Sequence, residues 1–287
     1  MNFAIPTSVD EAVGLLARAN GSGRVLAGGT DLLVQLRAGR VSPGIIVDIK
    51  RIPDLKAVRH EAGGLRVGAA VSGAELAEHA EVQKHWPGVL EAARLIGSTQ
   101  VQGRASLGGN LCNASPAADS VPALIAAGVT CTIAGPDGRR EVAVEDVVTG
   151  PGKTSLAAGE FVVDFLLPAR GARTSDAYQR FIPRTEMDIA VVGAAVCLAL
   201  DANGTVSAAR VALGAVAPTV RLVPAAGAAL VGTKLEDAAL ARLAAAASAA
   251  CDPINDKRGT IEFRTRVAGV LARRVAVLAY DRARSKA

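Results

Sequence analysis

The sequence predicts an α+β protein of two domains. Three observations carry that expectation. A strand pattern at Val25 to Ala27 runs into a glycine turn and then a helix; strands and helices alternate through the first 168 residues; and after Pro168 the strands come first and the helices last. The length agrees, since 287 residues at roughly 100 to 200 per domain make two units. Apolar residues are 50% and charged residues 21% of the chain, the balance of a protein with a sizeable core. Only 3% are aromatic, so alanine, valine and leucine fill that core and a base-stacking nucleic-acid surface is disfavoured. The charge of +5 is spread among interspersed acids and bases, which reads as a solvated surface more than as a nucleic-acid footprint.

In chain order, Ser8 and Glu11 make an S-x-x-E capping box before the apolar run Ala12, Val13, Leu15, Leu16, and predict a helix over 9–19. Gly21 to Gly23 end it. Val25-Leu26-Ala27 then reads as a buried strand, Gly28-Gly29-Thr30-Asp31 as a turn and Leu32 to Leu36 as a helix. Strands are predicted at Ile45 to Ile49 and Leu65 to Val71, with helices at Gly73 to His79 and Pro87 to Ile96. Gly97 to Ala118 lacks helical periodicity and reads as a long functional loop. Strands resume at Val129 to Ala134, Arg140 to Val144 and Phe161 to Leu167. The polar segment 169–177 is the predicted domain boundary. Beyond it lie strand-like stretches at Tyr178 to Phe181, Ile189 to Leu200 and Val206 to Val216, then helices at Leu235 to Ala250 and Thr260 to Arg284.

The four cysteines, Cys112, Cys131, Cys197 and Cys251, form no C-x-x-C pair, so neither a zinc nor an iron–sulfur site is expected here. No secretory signal opens the sequence, and the expected compartment is the cytoplasm. The longest apolar run, Ile189 to Leu200, falls short of the roughly 18 residues of a membrane span. His60, His79 and His85 have no metal-ligand spacing, and neither a nucleophile elbow nor an H-E-x-x-H occurs, which disfavours a hydrolase or zinc enzyme. No catalytic acid, base or nucleophile is assigned.

Two glycine-rich loops remain. In Ala27 to Asp31 the glycines permit close backbone approach, the Thr30 hydroxyl adds a donor, and the following helix aims its first N–H groups at whatever the loop faces. Ser106-Leu107-Gly108-Gly109-Asn110 repeats the logic, with Ser115 and Asp119 close behind. Either loop alone is compatible with a plain tight turn; together they suit a pyrophosphate gripped from both sides. Neither is G-x-G-x-x-G, so a nicotinamide fingerprint is absent. Gly150-Pro151-Gly152-Lys153-Thr154 lacks the first glycine of a Walker A loop, Val147 standing there, and reads as a surface turn. Asp188, four residues after Arg184, reads as a strand-start carboxylate with a local ion pair. Arg258, Arg264, Arg266, Arg273 and Arg274 read as a solvated helix face.

The segments AGGTDLL at 27–33, SLGGNLCNASPAAD at 106–119, GEFVVDFLLP at 159–168, RTEMDIA at 184–190 and DKRGTIEFR at 256–264 resemble the flavin-binding medium subunit of molybdenum hydroxylases, the family of xanthine dehydrogenase and carbon monoxide dehydrogenase. The resemblance implies a PCMH-type FAD-binding domain of two α+β subdomains over 1–170. A smaller α+β domain of the carbon monoxide dehydrogenase flavoprotein C-terminal type follows over 176–287. Carried over residue by residue, it implies that Ala27, Gly28, Gly29, Thr30, Asp31 and Leu32 bind the phosphates or ribityl of non-covalent FAD. Ser106, Gly108, Gly109 and Asn110 grip the other side of the pyrophosphate. Ser115 and Asp119 serve the adenosine portion or its supporting network, Val162 lies near the flavin or adenine, and Arg180 and Asp188 bound the isoalloxazine from the second domain. Molybdopterin and two 2Fe-2S clusters are implied on a large and a small partner subunit, in a dimer of heterotrimers that passes electrons through FAD to an external acceptor. A stand-alone flavin oxidase and a cofactor-free assembly or scaffold protein are the alternatives.

Overall fold

In the computed structural model, which describes residues 1–184 and 187–286, the chain first builds a small parallel sheet. Strand β1 (Asn2–Ala4), helix α1 (Val9–Arg18), strand β2 (Gly23–Leu26), helix α2 (Leu32–Arg37) and strand β3 (Ile45–Asp48) follow one another, with β3 central in the order β1-β3-β2. Ser8 Oγ accepts the Glu11 N–H at 3.1 Å, but the Glu11 carboxylate reaches one residue further back, to the Thr7 N–H at 2.8 Å, so the predicted box is only half formed. Val9, Ala12 and Leu16 turn one face of α1 onto Val47 and Ile49.

The second subdomain is a five-stranded antiparallel sheet in the order β4-β5-β10-β6-β7. Strands β4 (Val58–Glu61) and β5 (Gly64–Gly68) lead into six helices: α3 (Gly73–Glu78), α4 (Ala80–His85), α5 (Pro87–Arg94), α6 (Thr99–Gln102), α7 (Leu107–Cys112) and α8 (Ser120–Ala126). Then come β6 (Thr130–Gly135), β7 (Gly138–Ala143), the hairpin β8 (Val148–Gly150) with β9 (Lys153–Thr154), and the central β10 (Phe161–Pro168). The predicted long loop over 97–118 therefore contains two short helices. They escape a periodicity reading because each has six residues or fewer and is set by tertiary contacts: Gly73 donates its N–H to the Ala105 carbonyl at 2.8 Å, and Ser72 and Ser106 form a bridge.

Strand β10 serves both subdomains. Phe161 and Val163 enter the core of α1 and β3, whereas Phe165 and Leu167 enter the core under α3 to α8. A strand with strict alternation would point all four the same way. The one-residue register shift against β6 between Val162 and Asp164 reverses the phase and joins the two cores through one strand.

The remaining chain is an antiparallel meander, β11 (Thr174–Phe181), β12 (Val192–Leu200), β13 (Val206–Gly214) and β14 (Arg221–Leu222), followed by α9 (Pro224–Ala228), α10 (Asp237–Ala249) and α11 (Ile261–Arg284). Strand β11 begins inside the segment predicted as polar connector, which leaves 169–173 between the sheets. Val192, Ala194, Val196 and Leu198 face Leu243, Leu271 and Val275 of the helices, while Ala195 and Ala212 face the helical layer of the five-stranded sheet. Both faces of β12 are covered, which explains its unbroken apolar run. Among the described residues no helix is long and apolar enough to cross a membrane.

Buried polar contacts hold the last sheet to α5 and α8. Arg170 pairs bidentately with Asp176 at 2.9 and 3.0 Å, and Asp176 also accepts the Gly88 N–H at 2.9 Å. Gly88 has no room for a side chain, since a Cβ there would stand 2.8 Å from the Ala177 nitrogen. Glu91 accepts the Tyr178 N–H at 3.0 Å and pairs with Arg282. Asp119, 7% exposed, accepts from the Tyr178 hydroxyl at 3.0 Å and from Arg180 at 2.7 Å. Burial outweighs these two partners and pushes the Asp119 carboxyl up to about 6, while burial also raises the Tyr178 phenol. An acid whose folded pKa exceeds its unfolded value binds its proton more tightly when folded, so its ionisation opposes folding as pH rises from about 4 through about 6. The stability of wild type relative to Asp119→Asn should therefore increase, by at most roughly 3 kcal/mol, as pH falls from 7 to 4 in urea titrations; a flat difference would contradict the shifted carboxyl.

Candidate functional site

A cavity of about 660 Å³ opens between the parallel sheet and the five-stranded sheet. Its size lies within the range of small-molecule and cofactor sites. The turn between β2 and α2 forms one wall and the start of α7 the other, so the two glycine loops singled out in the sequence meet across one space. Ala27, Gly28, Gly29, Thr30, Asp31 and Leu32 line the first wall; Ser106, Gly108, Gly109 and Asn110 line the second; Val162, beside the register shift in β10, lies between them. Ser115, Asp119, Arg180 and Asp188 do not line it.

Each glycine of the loops answers a different constraint. A Cβ on Gly28 would stand 1.8 Å from the Arg104 carbonyl oxygen, so this glycine lets the first loop touch the chain that leads into the second. Gly29 has φ +79°, the left-handed conformation that only glycine adopts without strain. Gly108 is pressed against Ala69, where a Cβ would come within 2.6 Å of the carbonyl oxygen. Gly109 alone looks into open space, its hypothetical Cβ meeting nothing closer than Ser106 Oγ at 3.4 Å. Open space in front of the backbone is thus a property of Gly109, and the other three shape the walls.

Among the described residues the backbone N–H groups of Gly29, Thr30, Asp31 and Leu32 donate to no protein acceptor. Four such groups at the start of a helix form an anion cradle. Its backbone is held from behind: Lys50 Nζ donates to the Ala27 carbonyl at 2.9 Å and to Asp48 at 2.7 Å. Partial burial raises the Asp31 carboxyl above its usual range. That carboxylate accepts from Asn113 Nδ2 at 3.3 Å, and Gln35 donates to Asn113 Oδ1 at 3.2 Å, which ties α2 to the residue after α7.

On the second wall Ser106 acts as an acceptor, while Asn110 accepts with one end and keeps its donor end free. Ser106 Oγ accepts the Gly109 N–H at 3.2 Å and caps α7. Asn110 Oδ1 accepts from the Ser120 N–H at 3.1 Å and from Ser120 Oγ at 2.7 Å. A backbone N–H can only donate, so the bonded atom of the carboxamide is its oxygen, and the NH2 group is the free end. It finds no protein acceptor among the described residues and is a donor held ready at the cavity wall.

Of the residues outside the cavity, Ser115 Oγ accepts the Ala117 N–H at 3.2 Å, Asp119 and Arg180 bind each other, and Arg180 also donates to the Leu95 carbonyl at 2.9 Å. Asp188 accepts from Arg184 at 3.1 Å, which holds its carboxyl below the usual range, and lies 3.6 Å from Arg258. Thr185 and Glu186 of the RTEMDIA segment lie outside the described residues. The expected solvated arginine face holds for Arg266, Arg273 and Arg274 but not for Arg264. That guanidinium is 4% exposed and donates to the Val191 carbonyl at 2.8 Å and to Asp256 at 2.6 Å, closing the entry of β12.

Several cavity residues were missed from sequence. Leu156 to Phe161 run along it just before β10, Ile96 closes one side, and Gly152 and Thr154 reach it from the β8–β9 hairpin that was read only as a surface turn. Of these only the GEFVVDFLLP segment carried a signal. Among the described residues no group of three metal-ligating side chains is gathered.

Residues 1–170 match the family model described as the FAD binding domain in molybdopterin dehydrogenase, and residues 177–278 match the carbon monoxide dehydrogenase flavoprotein C-terminal domain. The chain is 34% identical to the carbon monoxide dehydrogenase medium chain of Hydrogenophaga pseudoflava, over 98% of this chain and 97% of that one. It is 36% identical to the xanthine dehydrogenase FAD-binding subunit of Escherichia coli O157:H7, over 73% of this chain and 72% of that one. A solved structure of the Hydrogenophaga pseudoflava carbon monoxide dehydrogenase that lacks the Mo-pyranopterin moiety superposes with a TM-score of 0.93 at 35% identity, covering 98% of both chains. The chain belongs to the family of FAD-binding subunits of molybdenum hydroxylases, and it is an oxidoreductase subunit.

The glycines give this site opposite phenotypes. Gly28→Ala should lower folding stability by about 3 kcal/mol in urea titrations, because backbone and not a side-chain tip stands in its way. Gly109→Val should keep its melting temperature, since valine is no worse than glycine in a helix, yet lose most of its FAD. Full FAD content in Gly109→Val would mean that the ligand does not approach this wall.

Proposed function

We propose that this chain holds FAD non-covalently as the electron-transfer subunit of a three-component molybdenum hydroxylase. The observation that carries the reading is the pair of glycine walls facing each other across one cavity, with four unsatisfied N–H groups on one and the Asn110 amide on the other. These donors and the open space at Gly109 fit a dinucleotide pyrophosphate. Bound FAD supplies redox exchange between one-electron iron–sulfur donors and an external acceptor. The protein's own part is to bind and orient. Gly29 to Leu32 would hold one side of the pyrophosphate, Asn110 Nδ2 and the backbone around Gly109 the other, and Val162 with Ile96 would keep an apolar wall against the ring systems. No proton transfer by a side chain is required, in keeping with the absence of an assigned acid or base.

On this reading the FAD-binding domain spans 1–170 and the second domain 176–287. Asp188 and its two arginines stand on the second domain, where they would bound the ring end of the cofactor. Molybdopterin and 2Fe-2S clusters would reside on a large and a small partner subunit, as the designation "medium chain" of the relatives supports. Phe181 and Phe263 stack edge to face at 5.8 Å yet remain 39% and 41% exposed, apolar surface that a partner chain would cover in a dimer of heterotrimers. All four cysteines are free thiols, which supports a reducing, cytoplasmic setting.

Purified enzyme should release about one FAD per chain on denaturation, and flavin that stays with the denatured polypeptide would contradict non-covalent binding. The isolated chain should show no turnover with N-heterocycles, aldehydes or alcohols, whereas co-expression with candidate partners should yield one complex by size exclusion. Turnover by the lone chain would establish a stand-alone oxidase instead.

A further inference from the structure

Arg180 does not line the cavity, yet of the two groups it binds, Leu95 is one residue from the wall residue Ile96 and Asp119 is next to Ser120, which holds the wall residue Asn110. One nitrogen, Nη1, donates to Asp119 Oδ2 at 2.7 Å and to the Leu95 carbonyl at 2.9 Å. Leu95 precedes Ile96, which forms part of the cavity wall. Asp119 precedes Ser120, whose N–H and hydroxyl both grip Asn110 Oδ1 and leave the amide NH2 as the free donor. The other Asp119 oxygen accepts from Tyr178 at 3.0 Å, so both carboxylate oxygens are held by strand β11. Space for that arrangement is built into β12: Gly193 pairs with Arg180, and a Cβ there would stand 2.7 Å from the Tyr178 hydroxyl oxygen. Arg180 and Asp119 side chains are 5% and 10% exposed, so water does not replace either contact.

From this we propose that Arg180 is a positioning residue: the second domain sets the cofactor site at a distance, through Arg180, Asp119 and Ser120 to the Asn110 amide. The proposal rests on the reading of the cavity as the FAD site. Asn110 cannot keep its oxygen turned inward unless the Ser120 donors stay in place, and the residue that fixes the start of α8 is Asp119. An interdomain ion pair that serves adhesion alone would have no such connection. The Arg170–Asp176 pair is of that kind, since it is equally buried but joins the start of α5 through the Gly88 N–H and the end of α4 through the His85 carbonyl.

A double-mutant cycle on the full chain, purified with the partners it assembles with, tests this. FAD affinity is read by fluorescence quenching, and the melting temperature of the FAD-free protein is followed alongside. Arg180→Gln and Asn110→Ala should each weaken FAD binding about tenfold, and the double variant should be no weaker than either, because both cut one pathway. Arg180→Lys should recover part of the loss. Ser120→Ala, which removes the shorter of the two bonds to Asn110 Oδ1 and leaves the backbone N–H and Arg180 in place, should reproduce part of the effect if Arg180→Gln fails to fold. Arg170→Gln should lower the melting temperature while its effect on affinity multiplies with that of Asn110→Ala. Multiplying effects of Arg180→Gln and Asn110→Ala, or unchanged affinity in Ser120→Ala, would overturn the relay. Failure of the wild-type chain to retain FAD would instead overturn the reading of the cavity itself.

Discussion

The contact on which the cavity depends is the one between Gly28 and the Arg104 carbonyl. Two subdomains with separate cores, one on a parallel sheet and one on an antiparallel sheet, must meet closely enough to share a ligand yet leave a slot between them. At Gly28 the backbones touch with no side chain between, and at Gly108 the second wall is pressed onto Ala69 at the end of β5 in the same way. Any larger residue at Gly28 would wedge the walls apart, and one at Gly108 would push α7 off the five-stranded sheet. The slot is the space left when those two contacts are closed, so its width is a packing result before it is a matter of ligand chemistry.

The register shift in β10 supplies the third side of the same frame. By pointing Phe161 and Val163 into one core and Phe165 and Leu167 into the other, the strand welds the subdomains along the floor of the slot. The last sheet then braces the outside. Its contacts with α5 and α8 combine apolar packing with buried charged pairs, and such pairs contribute less to stability than apolar packing would but fix one geometry, because each partner is lost if the other moves.

How much of this the sequence discloses follows from the range of the interactions. The strand, glycine turn and helix at 25–36 are legible because capping, periodicity and turn chemistry are local. So are the alternating apolar faces of β12 and the meander around it. The short helices α6 and α7 are not, since fewer than two turns carry no periodic signal and Ser106 caps its helix only where the bridge to Ser72 holds it. Helix α8 is buried all round, and a helix with no polar face has no amphipathic pattern to read. Arg264 looks like any arginine on a helix; that it closes the entry of β12 depends on carbonyls 73 and 49 residues away. The two glycine loops are visible as motifs, but their individual roles depend on which way each missing Cβ points.

The cavity offers an anion few free formal charges. The Arg24 guanidinium donates to the Gly21 and Gly23 carbonyls, Lys50 is paired with Asp48, and Glu160 is paired with Arg140. Apart from the Arg24 cation, what the two glycine walls present are backbone N–H groups and one amide, neutral donors whose strength comes from direction and not from net charge. A site of that kind holds its ligand only as well as its donors are aimed, and aiming them is a task for groups that never touch it: Lys50 behind Ala27, Asn113 beside Asp31, Ser120 behind Asn110. A mild net charge of +5 and a demanding anion site are therefore compatible in one chain. The recognition resides in backbone geometry, and the polar side chains around it keep that geometry in place.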